Sequence, residues 1–390
     1  MKRLCFVVSS PLTLDAFLRG QLATLAREYL LEAVANCVDE GHLKKQGLEI
    51  RLTNVAISRE TSVFRDGVAL ARLAAVLRRM RVDAVHSVTP KAGLLAMVAG
   101  KLAGVGTRVH TFTGQVWATR TGIARAGLKV LDRVTAACAS HVLVDSQSQL
   151  DFLVSENVIN LSKATVLHYG SISGVDTTRF RPNAVRRLEI RAQLGIGGSG
   201  TLFMFLGRLK KDKGVLDLAS AFSMLCARHA DVHLALVGPD EEGLGPEIQR
   251  RCGGTRGRLH FVDQTNTPEH YMASADVFCL PSYREGFGSV VIEAAACEVP
   301  SIASRIYGVT DAVEEGETGI LHEPGNVEDI RNCMERLYLD RPLRVRMGRQ
   351  GRERAKTKFE AEDVTRALVE FYAGVLGQSV GAEEKGGGPC

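Results

Sequence analysis

Two glutamates and two glycines share the stretch Arg284-Glu285-Gly286-Phe287-Gly288-Ser289-Val290-Val291-Ile292-Glu293. Before it, the apolar run Val277 to Leu280 stops at Pro281 and Ser282, and after it a helical pattern runs from Ser289 to near Pro300. The order is strand, glycine-bearing turn, helix N-terminus. A helix start presents backbone N–H groups without intrahelical acceptors, together with the positive end of the helix dipole. Phosphate is the usual occupant of such a spot. Glu285 in the turn and Glu293 on the first turns of the helix frame it. A carboxylate accepts hydrogen bonds from two vicinal hydroxyls, which suits ribose or a hexose beside the phosphate. The plain alternative is an ordinary strand-to-helix turn carrying surface glutamates.

A second chemical feature follows the apolar run Thr201 to Leu206: Gly207-Arg208-Leu209-Lys210-Lys211-Asp212-Lys213-Gly214. Arg208 offers a planar fork of donors and Lys213 a mobile point charge. Together they can hold a diphosphate and stabilise its extra charge as it leaves. Surface salt bridges on a basic loop are the alternative. The signal gains weight from the Glu285/Glu293 turn in the same half of the chain.

The first half supplies polar clusters after apolar runs: Ser9-Ser10-Pro11-Leu12-Thr13, His86-Ser87-Val88-Thr89-Pro90-Lys91, the run from His110 through Thr113 to Trp117, and Asp145-Ser146-Gln147-Ser148. Each alone is a routine turn; together they suggest one wall of a cleft. His86 and His110 read either as site residues or as buried, hydrogen-bonded histidines. Trp117 reads either as core or as a platform for a sugar ring. Two helical patterns carry clustered cations. Arg72, Arg78, Arg79 and Arg81 mix with apolar residues in one. Arg125, Lys129 and Arg133 share a face in the other by their spacing of four. A basic amphipathic helix can lie on an anionic membrane surface, and it can equally be a solvated face.

The elements that must position these residues alternate. Strands are expected at Arg3–Ser9, Glu32–Asp39, Glu49–Ala56, Ala84–Ser87, Arg108–Phe112 and His141–Val144, with helical patterns over Leu14–Leu31, Asp66–Met80 and Ala92–Ala103. After the punctuated stretch 170–200, read as a linker, alternation restarts with strands at Thr201–Leu206, His233–Val237, Leu259–Val262, Val277–Leu280, Ser301–Ser304 and Gly319–His322. Helices close the chain at Val327–Leu339, Arg344–Phe359 and Glu362–Val375, and the polar, Gly-rich tail 377–390 is expected to be disordered. Alternation of this kind gives parallel sheets with helices on both faces and ligands at the carboxyl ends of the strands.

Totals agree with two soluble α/β domains. The chain has 390 residues, 45% hydrophobic and 24% charged, long for a single core. Its apolar runs are short of a bilayer span, and the N-terminal run is too short for a signal-peptide core. Nine cysteines lack any C-x-x-C pair and read as reduced, buried thiols. Up to Val185 there are 23 Lys and Arg against 14 Asp and Glu, and after it 26 against 30, so a basic half precedes a mildly acidic one. The basic half suits anionic lipid, a phosphorylated acceptor or nucleic acid, or is simply solvated.

With these residues in place, the chain resembles the family 4 glycosyltransferases of GT-B fold. The resemblance rests on GRLKKDKG at 207–214, REGFGSVVIEAAACEVP at 284–300, SGVDTTRF at 173–180, ADVFCLPS at 275–282 and GVTDAVEEGETGILHEPGN at 308–326. It covers almost the whole chain. It implies an α/β fold of two facing Rossmann-like domains: an acceptor-binding domain at 1–180, a nucleotide-sugar domain at 181–360, and a helix at 361–376 crossing back to the first domain. It also implies roles. Arg208 and Lys213, after Gly207, would hold the donor diphosphate; Glu293 the ribose; Glu285 the donor sugar; and the backbone at Phe287, Gly288 and Ser289 sugar and phosphate. The family is metal-independent and retaining, so neither metal nor cofactor is expected. Three departures stand out. Thr113 occupies the place of a histidine common on the acceptor side, leaving Ser10, His86, His110 and Thr113 as acceptor-side candidates. Ser9 to Thr13 replaces a glycine-rich loop, and Glu298 sits where glycine is common.

The expected activity is transfer of a sugar from a nucleotide diphosphate donor, a UDP-sugar first, to a hydroxyl of a glycan. The expected acceptor is a lipid-linked precursor of a bacterial surface polysaccharide, met by a cytoplasmic enzyme at the inner face of the membrane through its basic N-terminal domain, with no nucleic acid as partner. A nucleotide-sugar epimerase of the same fold and a non-catalytic nucleotide-sugar-binding protein are the alternatives.

Overall fold

The computed structural model describes residues 1–58, 62–255 and 257–377. Among the described residues thirteen strands form two parallel sheets. The first contains β1 (Arg3–Val7), β2 (Leu30–Ala35), β3 (Arg51–Asn54), β4 (Ala84–Ser87), β5 (Thr107–Phe112), β6 (His141–Val144) and β7 (Ala164–Val166), in the order β3-β2-β1-β4-β5-β6-β7. The second contains β8 (Thr201–Leu206), β9 (Val232–Val237), β10 (Leu259–Val262), β11 (Val277–Leu280), β12 (Ser301–Ser304) and β13 (Gly319–His322), in the order β10-β9-β8-β11-β12-β13. In each sheet the first strand has its successor on one side and its fourth strand on the other. That is the doubly wound order, and the crevice beside that first strand is where such sheets bind ligands. Register is continuous: Phe6 lies opposite Ala33 and His86, and Phe203 opposite Leu234 and Val277.

The central strands are apolar on both faces because helices cover both. Phe203, Met204 and Phe205 of β8 and Phe278 of β11 are fully buried. By contacts the chain gathers into two compact units. One comprises residues 1–111, 134–142 and the final helix from Asp363; the other comprises 112–133 and 143–362. The final helix, Ala361–Leu376, therefore packs with the beginning of the chain: Tyr372 is fully buried, and its hydroxyl lies 2.5 Å from His86 Nδ1.

Three sequence expectations change. The helical pattern over Leu14–Leu31 is a π-helical turn (Leu14–Leu18) followed by a helix that ends at Leu25. The chain then leaves the helix, because Tyr29 and Leu31 are core residues and β2 starts at Leu30. The stretch read as a linker holds helix Ala184–Gln193, fixed to the second unit by Arg187 and Arg191, which both pair with Asp276 at 2.6 and 2.9 Å. The clustered cations of the helix over Gly122–Cys138 are tied back to the fold, although Arg133 stays exposed. Arg125 and Lys129 pair with Glu156 at 2.8 and 2.6 Å, and Arg133 donates to the Asn157 carbonyl at 2.8 Å. The disordered tail was expected over residues that lie, from 378 on, outside the described ones. Among the described residues the eight cysteines are free thiols, and no helix is long and apolar enough to cross a membrane.

Candidate active site at the carboxyl ends of β8 and β11

In the second unit β8 and β11 are neighbours, so the turns that follow them meet. After β8 the chain passes Gly207, makes a short 3-10 turn at Lys211–Lys213 and enters helix Val215–Cys226 through Gly214 at φ 68°. A Cβ at Gly214 would overlap the Pro281 carbonyl, so this glycine lets the two turns close on each other. The consequence is an ion pair across them: Lys213 Nζ lies 2.6 Å from Glu285 Oε1, with both side chains largely buried. Ser282 Oγ donates to the same carboxylate oxygen at 2.8 Å. Further stitches hold the turns together. The Tyr283 N–H donates to the Asp212 carbonyl at 2.9 Å, Arg284 reaches Asp212 Oδ2 at 2.9 Å, and the Tyr283 hydroxyl donates to Asp217 at 2.6 Å.

Helix Ser289–Ala296 begins on Gly288 in the left-handed conformation, with no side chain capping it. Phe287 is buried against Phe359, ring centroids 5.3 Å apart, so at this turn only its backbone can meet a ligand. Glu293 is half-buried on the same helix. Burial pushes its carboxyl up to about 7, with Arg179 opposing and Glu269 reinforcing the shift. Arg179 is itself held by Glu269 at 2.8 Å. Arg208 is half-exposed and pairs with Glu241 at 3.2 Å; Lys210 reaches the same carboxylate at 3.5 Å. Both proposed phosphate-binding cations thus have a protein carboxylate as partner.

The sequence reading did not find what supports the Glu285-Gly286 backbone. A Cβ at Gly114 would come within 2.9 Å of the Glu285 carbonyl carbon. One at Gly286 would come within 2.7 Å of the Gly114 nitrogen and 2.8 Å of Asp145 Oδ2. Arg284 also reaches the Gly114 carbonyl at 3.4 Å. Asp145 is buried, its Oδ1 has no hydrogen-bond partner, and burial raises its carboxyl to about 8, so it is neutral at pH 7. Thr113 is fixed through its carbonyl, which accepts from the side chains of Gln115 and Gln149 at 2.7 and 2.6 Å. Gln149 lies on helix Gln147–Ser155, whose N-cap is Ser146. Ser148 on that helix binds Asp311, and its hydroxyl accepts from the Gly308 N–H at 2.7 Å.

Trp117 is core. It is 1% exposed and stacks on Phe152 at 5.3 Å; Phe152 stacks in turn on Tyr307 at 4.4 Å. Arg125 and Lys129 lie over the Trp117 ring, and its indole N–H donates to Asp132 at 2.7 Å. No face of that ring remains for a sugar. The Tyr307 hydroxyl accepts from the Gln115 N–H at 3.3 Å. Only the Asp145-Ser146-Gln147-Ser148 cluster, noted as a polar strand end, hinted at this layer.

The remaining acceptor-side candidates lie in the first unit. His86 and His110 are 3% and 1% exposed. His86 bonds Tyr372 and, at 2.8 Å, Thr111, while His110 bonds Ser87 at 2.9 Å. Burial holds both at about 3, so both are neutral. The buried, hydrogen-bonded alternative describes them, and neither ring can touch an acceptor as the chain is folded. Ser10 is partly exposed and caps the short Pro11–Thr13 helix, and Ser9 Oγ lies 2.8 Å from Thr89 Oγ1.

The turns after β8 and β11 thus offer a largely buried Lys213 paired with Glu285, and an uncapped helix start at Gly288. The chain is similar to known glycosyltransferases. Residues 186–354 match the family described as glycosyl transferases group 1, and residues 18–170 match the glycosyl transferase 4-like domain. The chain is 28% identical over 365 residues to the capsular polysaccharide biosynthesis glycosyltransferase CapM of Staphylococcus aureus, covering 93% of this chain and 95% of that one. It is 26% identical to the UDP-Gal:alpha-D-GlcNAc-diphosphoundecaprenol alpha-1,3-galactosyltransferase of Escherichia coli, covering 74% of this chain and 75% of that one. Among solved structures, Anabaena Alr3699/HepE in complex with UDP and glucose superposes with a TM-score of 0.80 at 18% identity, over 96% of this chain and all of that one.

Proposed function

The chain belongs to the family 4 glycosyltransferases of GT-B fold, acting in polysaccharide biosynthesis, and we propose that it transfers a sugar from a UDP-sugar to a hydroxyl of a lipid-linked glycan with retention at the anomeric carbon. The observation that carries this reading is the Lys213–Glu285 pair beside the uncapped Gly288 helix start, with Glu293 on that helix. A sugar diphosphate entering this site exchanges one arrangement of charges for another. Its phosphates take Lys213 and Arg208, and Glu285, released from Lys213, accepts hydrogen bonds from the sugar hydroxyls. Glu293 is one helical turn further on, suited to the ribose diol. Support for the donor nucleotide comes from the relatives, one named for UDP-Gal and one solved with UDP and glucose.

The reaction breaks the bond between the anomeric carbon and the β-phosphate oxygen. Negative charge grows on that oxygen, and Lys213, Arg208 and the helix dipole stabilise it without a metal. The acceptor hydroxyl then attacks from the face the diphosphate is leaving, and the departing phosphate takes its proton. The acceptor is proposed by chemistry: the relative of Escherichia coli is named for a diphosphoundecaprenol-linked sugar, and such an acceptor places the enzyme at the inner face of the cytoplasmic membrane.

The test is a panel of nucleotide-sugars ranked by thermal shift, followed by assay of nucleotide release with polyprenyl-diphosphate-linked sugars, with and without EDTA. Release that requires acceptor, survives EDTA and yields an α-linked product from an α-linked donor supports the reading. A changed donor sugar without acceptor indicates epimerisation, and donor binding without turnover on any acceptor indicates a binding protein. Either outcome overturns it.

A further inference from the structure

The π-helical turn Leu14–Leu18 carries Asp15. An extra residue in a helical turn moves its side chains out of the regular register, and such turns are frequent at functional sites. Asp15 reaches the first residue of the short helix His42–Lys45: its Oδ2 lies 2.7 Å from His42 Nε2, and the Gln46 side-chain amide lies 3.1 Å from the same ring atom. The loop ahead of His42 is fastened to the end of β3. Asn54 Oδ1 accepts the Cys37 N–H at 3.2 Å, and Glu40 accepts the Asn54 N–H at 3.1 Å. The cluster therefore stands on the segments that follow β1 and β2, at the carboxyl ends of the first sheet, where sheets of this order take ligands.

Two features go beyond a tie between helices. Asp15 Oδ1 is buried with no hydrogen-bond partner among the described residues, and so is Gln46 Oε1. A buried oxygen without a donor costs stability, so two of them on the residues around one ring call for a donor. The second feature is the ring itself. A carboxylate only accepts, so Asp15 holds the ring proton on Nε2 and leaves Nδ1 as a bare acceptor. Nδ1 has no partner among the described residues, and the His42 side chain is 31% exposed. The cations nearby in sequence are engaged: Lys45 with Asp39 at 2.6 Å, Lys44 with Glu49 at 3.2 Å, and Arg19 with the Gln46 carbonyl at 3.3 Å. A group of unmet acceptors suits the hydroxyl hydrogens of a sugar and disfavours a phosphate.

We propose that His42, held by Asp15, binds a hydroxyl of the acceptor sugar at Nδ1, and that the unmet oxygens of Asp15 and Gln46 accept from that sugar or from a water bound with it. His86 and His110 of the same unit are enclosed and cannot take this part. Calling the sugar an acceptor rests on the glycosyltransfer reading; the hydroxyl-binding site does not. His42 binds and positions, and the proton of the reacting hydroxyl still leaves with the departing phosphate.

Two readouts on the full chain test it: acceptor KM and kcat with a polyprenyl-diphosphate-linked sugar, and saturation-transfer NMR with methyl hexosides as probes. Glutamine and asparagine separate the two ends of the ring. His42→Gln places an amide nitrogen where Nε2 stands, keeps the bond to Asp15 and offers nothing at Nδ1. His42→Asn places its amide oxygen near Nδ1 and gives up Asp15. His42→Gln is expected to keep the wild-type melting temperature, raise the acceptor KM about tenfold with kcat and UDP affinity little changed, and lose the methyl-hexoside signal. His42→Asn is expected to melt lower and yet keep more of the acceptor affinity. Asp15→Asn, whose amide can donate to Nε2 and so move the ring proton to Nδ1, raises the acceptor KM in the same way. A wild-type acceptor KM in His42→Gln overturns the proposal, as does better acceptor binding by His42→Gln than by His42→Asn, which is what a plain helix tie gives. So does a methyl-hexoside signal that is equal in His42→Gln and wild type, or absent from wild type. A His42-dependent hexoside signal without transfer on any acceptor leaves the inference standing while the glycosyltransfer reading fails. Transfer with an unchanged acceptor KM in His42→Gln sinks the inference alone.

Discussion

Lys213 and Glu285 stand 2.6 Å apart, on turns that follow different strands, in an ion pair whose two members are the groups best suited to a sugar's phosphate and hydroxyls. The pair exists because Gly214 lets its turn close on Pro281 and because β8 and β11 are neighbours in the sheet. A carboxylate that neutralises Lys213 competes with the donor's phosphate. Glu285→Gln removes that competitor and also the acceptor of the sugar hydroxyls. Calorimetry is expected to show UDP binding severalfold tighter, while turnover falls by about 100-fold, the scale of one lost transition-state contact.

Glu293 gives the donor site a pH dependence. Burial raises its carboxyl to about 7, so at pH 6 most of it is protonated and cannot accept both ribose hydroxyls. Binding favours the ionised form, so affinity rises with pH through that value. A UDP-sugar, whose diphosphate diester does not titrate in this range, is expected to bind about tenfold more weakly at pH 6 than at pH 8. Glu293→Gln flattens the profile, and an unchanged profile in that variant would remove Glu293 from the ribose site.

Gly286 tests the backing of the loop. A Cβ there meets the Gly114 nitrogen at 2.7 Å and Asp145 Oδ2 at 2.8 Å, so Gly286→Ala must displace the Glu285-Gly286 backbone. Transfer is expected to drop at least tenfold, with a loss of stability of about 1–3 kcal/mol, read by activity and urea melts. Asp145→Ala offers relief of part of that clash, and some activity returns in the double variant.

His86 and His110 are expected to act on stability and not on chemistry. Both are held neutral at about 3 against an ordinary value near 6.5. The unfolded chain therefore takes up protons that the folded chain refuses, and the stability they contribute is present above pH 6.5 and lost as pH falls toward 3. Each costs about 2 kcal/mol at pH 5 relative to pH 7. Denaturant melts at the two values check this, and His110→Asn reduces the difference.

Much of this site was legible because its members are close in sequence. Arg208 and Lys213 lie in one turn, and Glu285, Gly288 and Glu293 span another turn and one short helix, so strand, turn and helix signals place them without tertiary information. What supports them was not. Gly114, Asp145 and Tyr307 come from three distant segments, and only packing shows that Gly114 touches Gly286. Spacing correctly put Arg125, Lys129 and Arg133 on one helix face, but which face meets the protein depended on Glu156, more than twenty residues away. Periodicity over Leu14–Leu31 ran too far because Tyr29 and Leu31 are apolar for a strand's reason: they fill the core where β2 begins.

Transfer from a UDP-sugar to a polyprenyl-diphosphate-linked acceptor, measured for wild type, Arg208→Ala and Lys213→Ala at saturating acceptor, tests the central claim most directly. The account predicts acceptor-dependent UDP release by wild type and a loss of about 100-fold or more in each variant, with the fold retained. Wild-type rates in both variants would contradict it, because no diphosphate would then be leaving between those two cations.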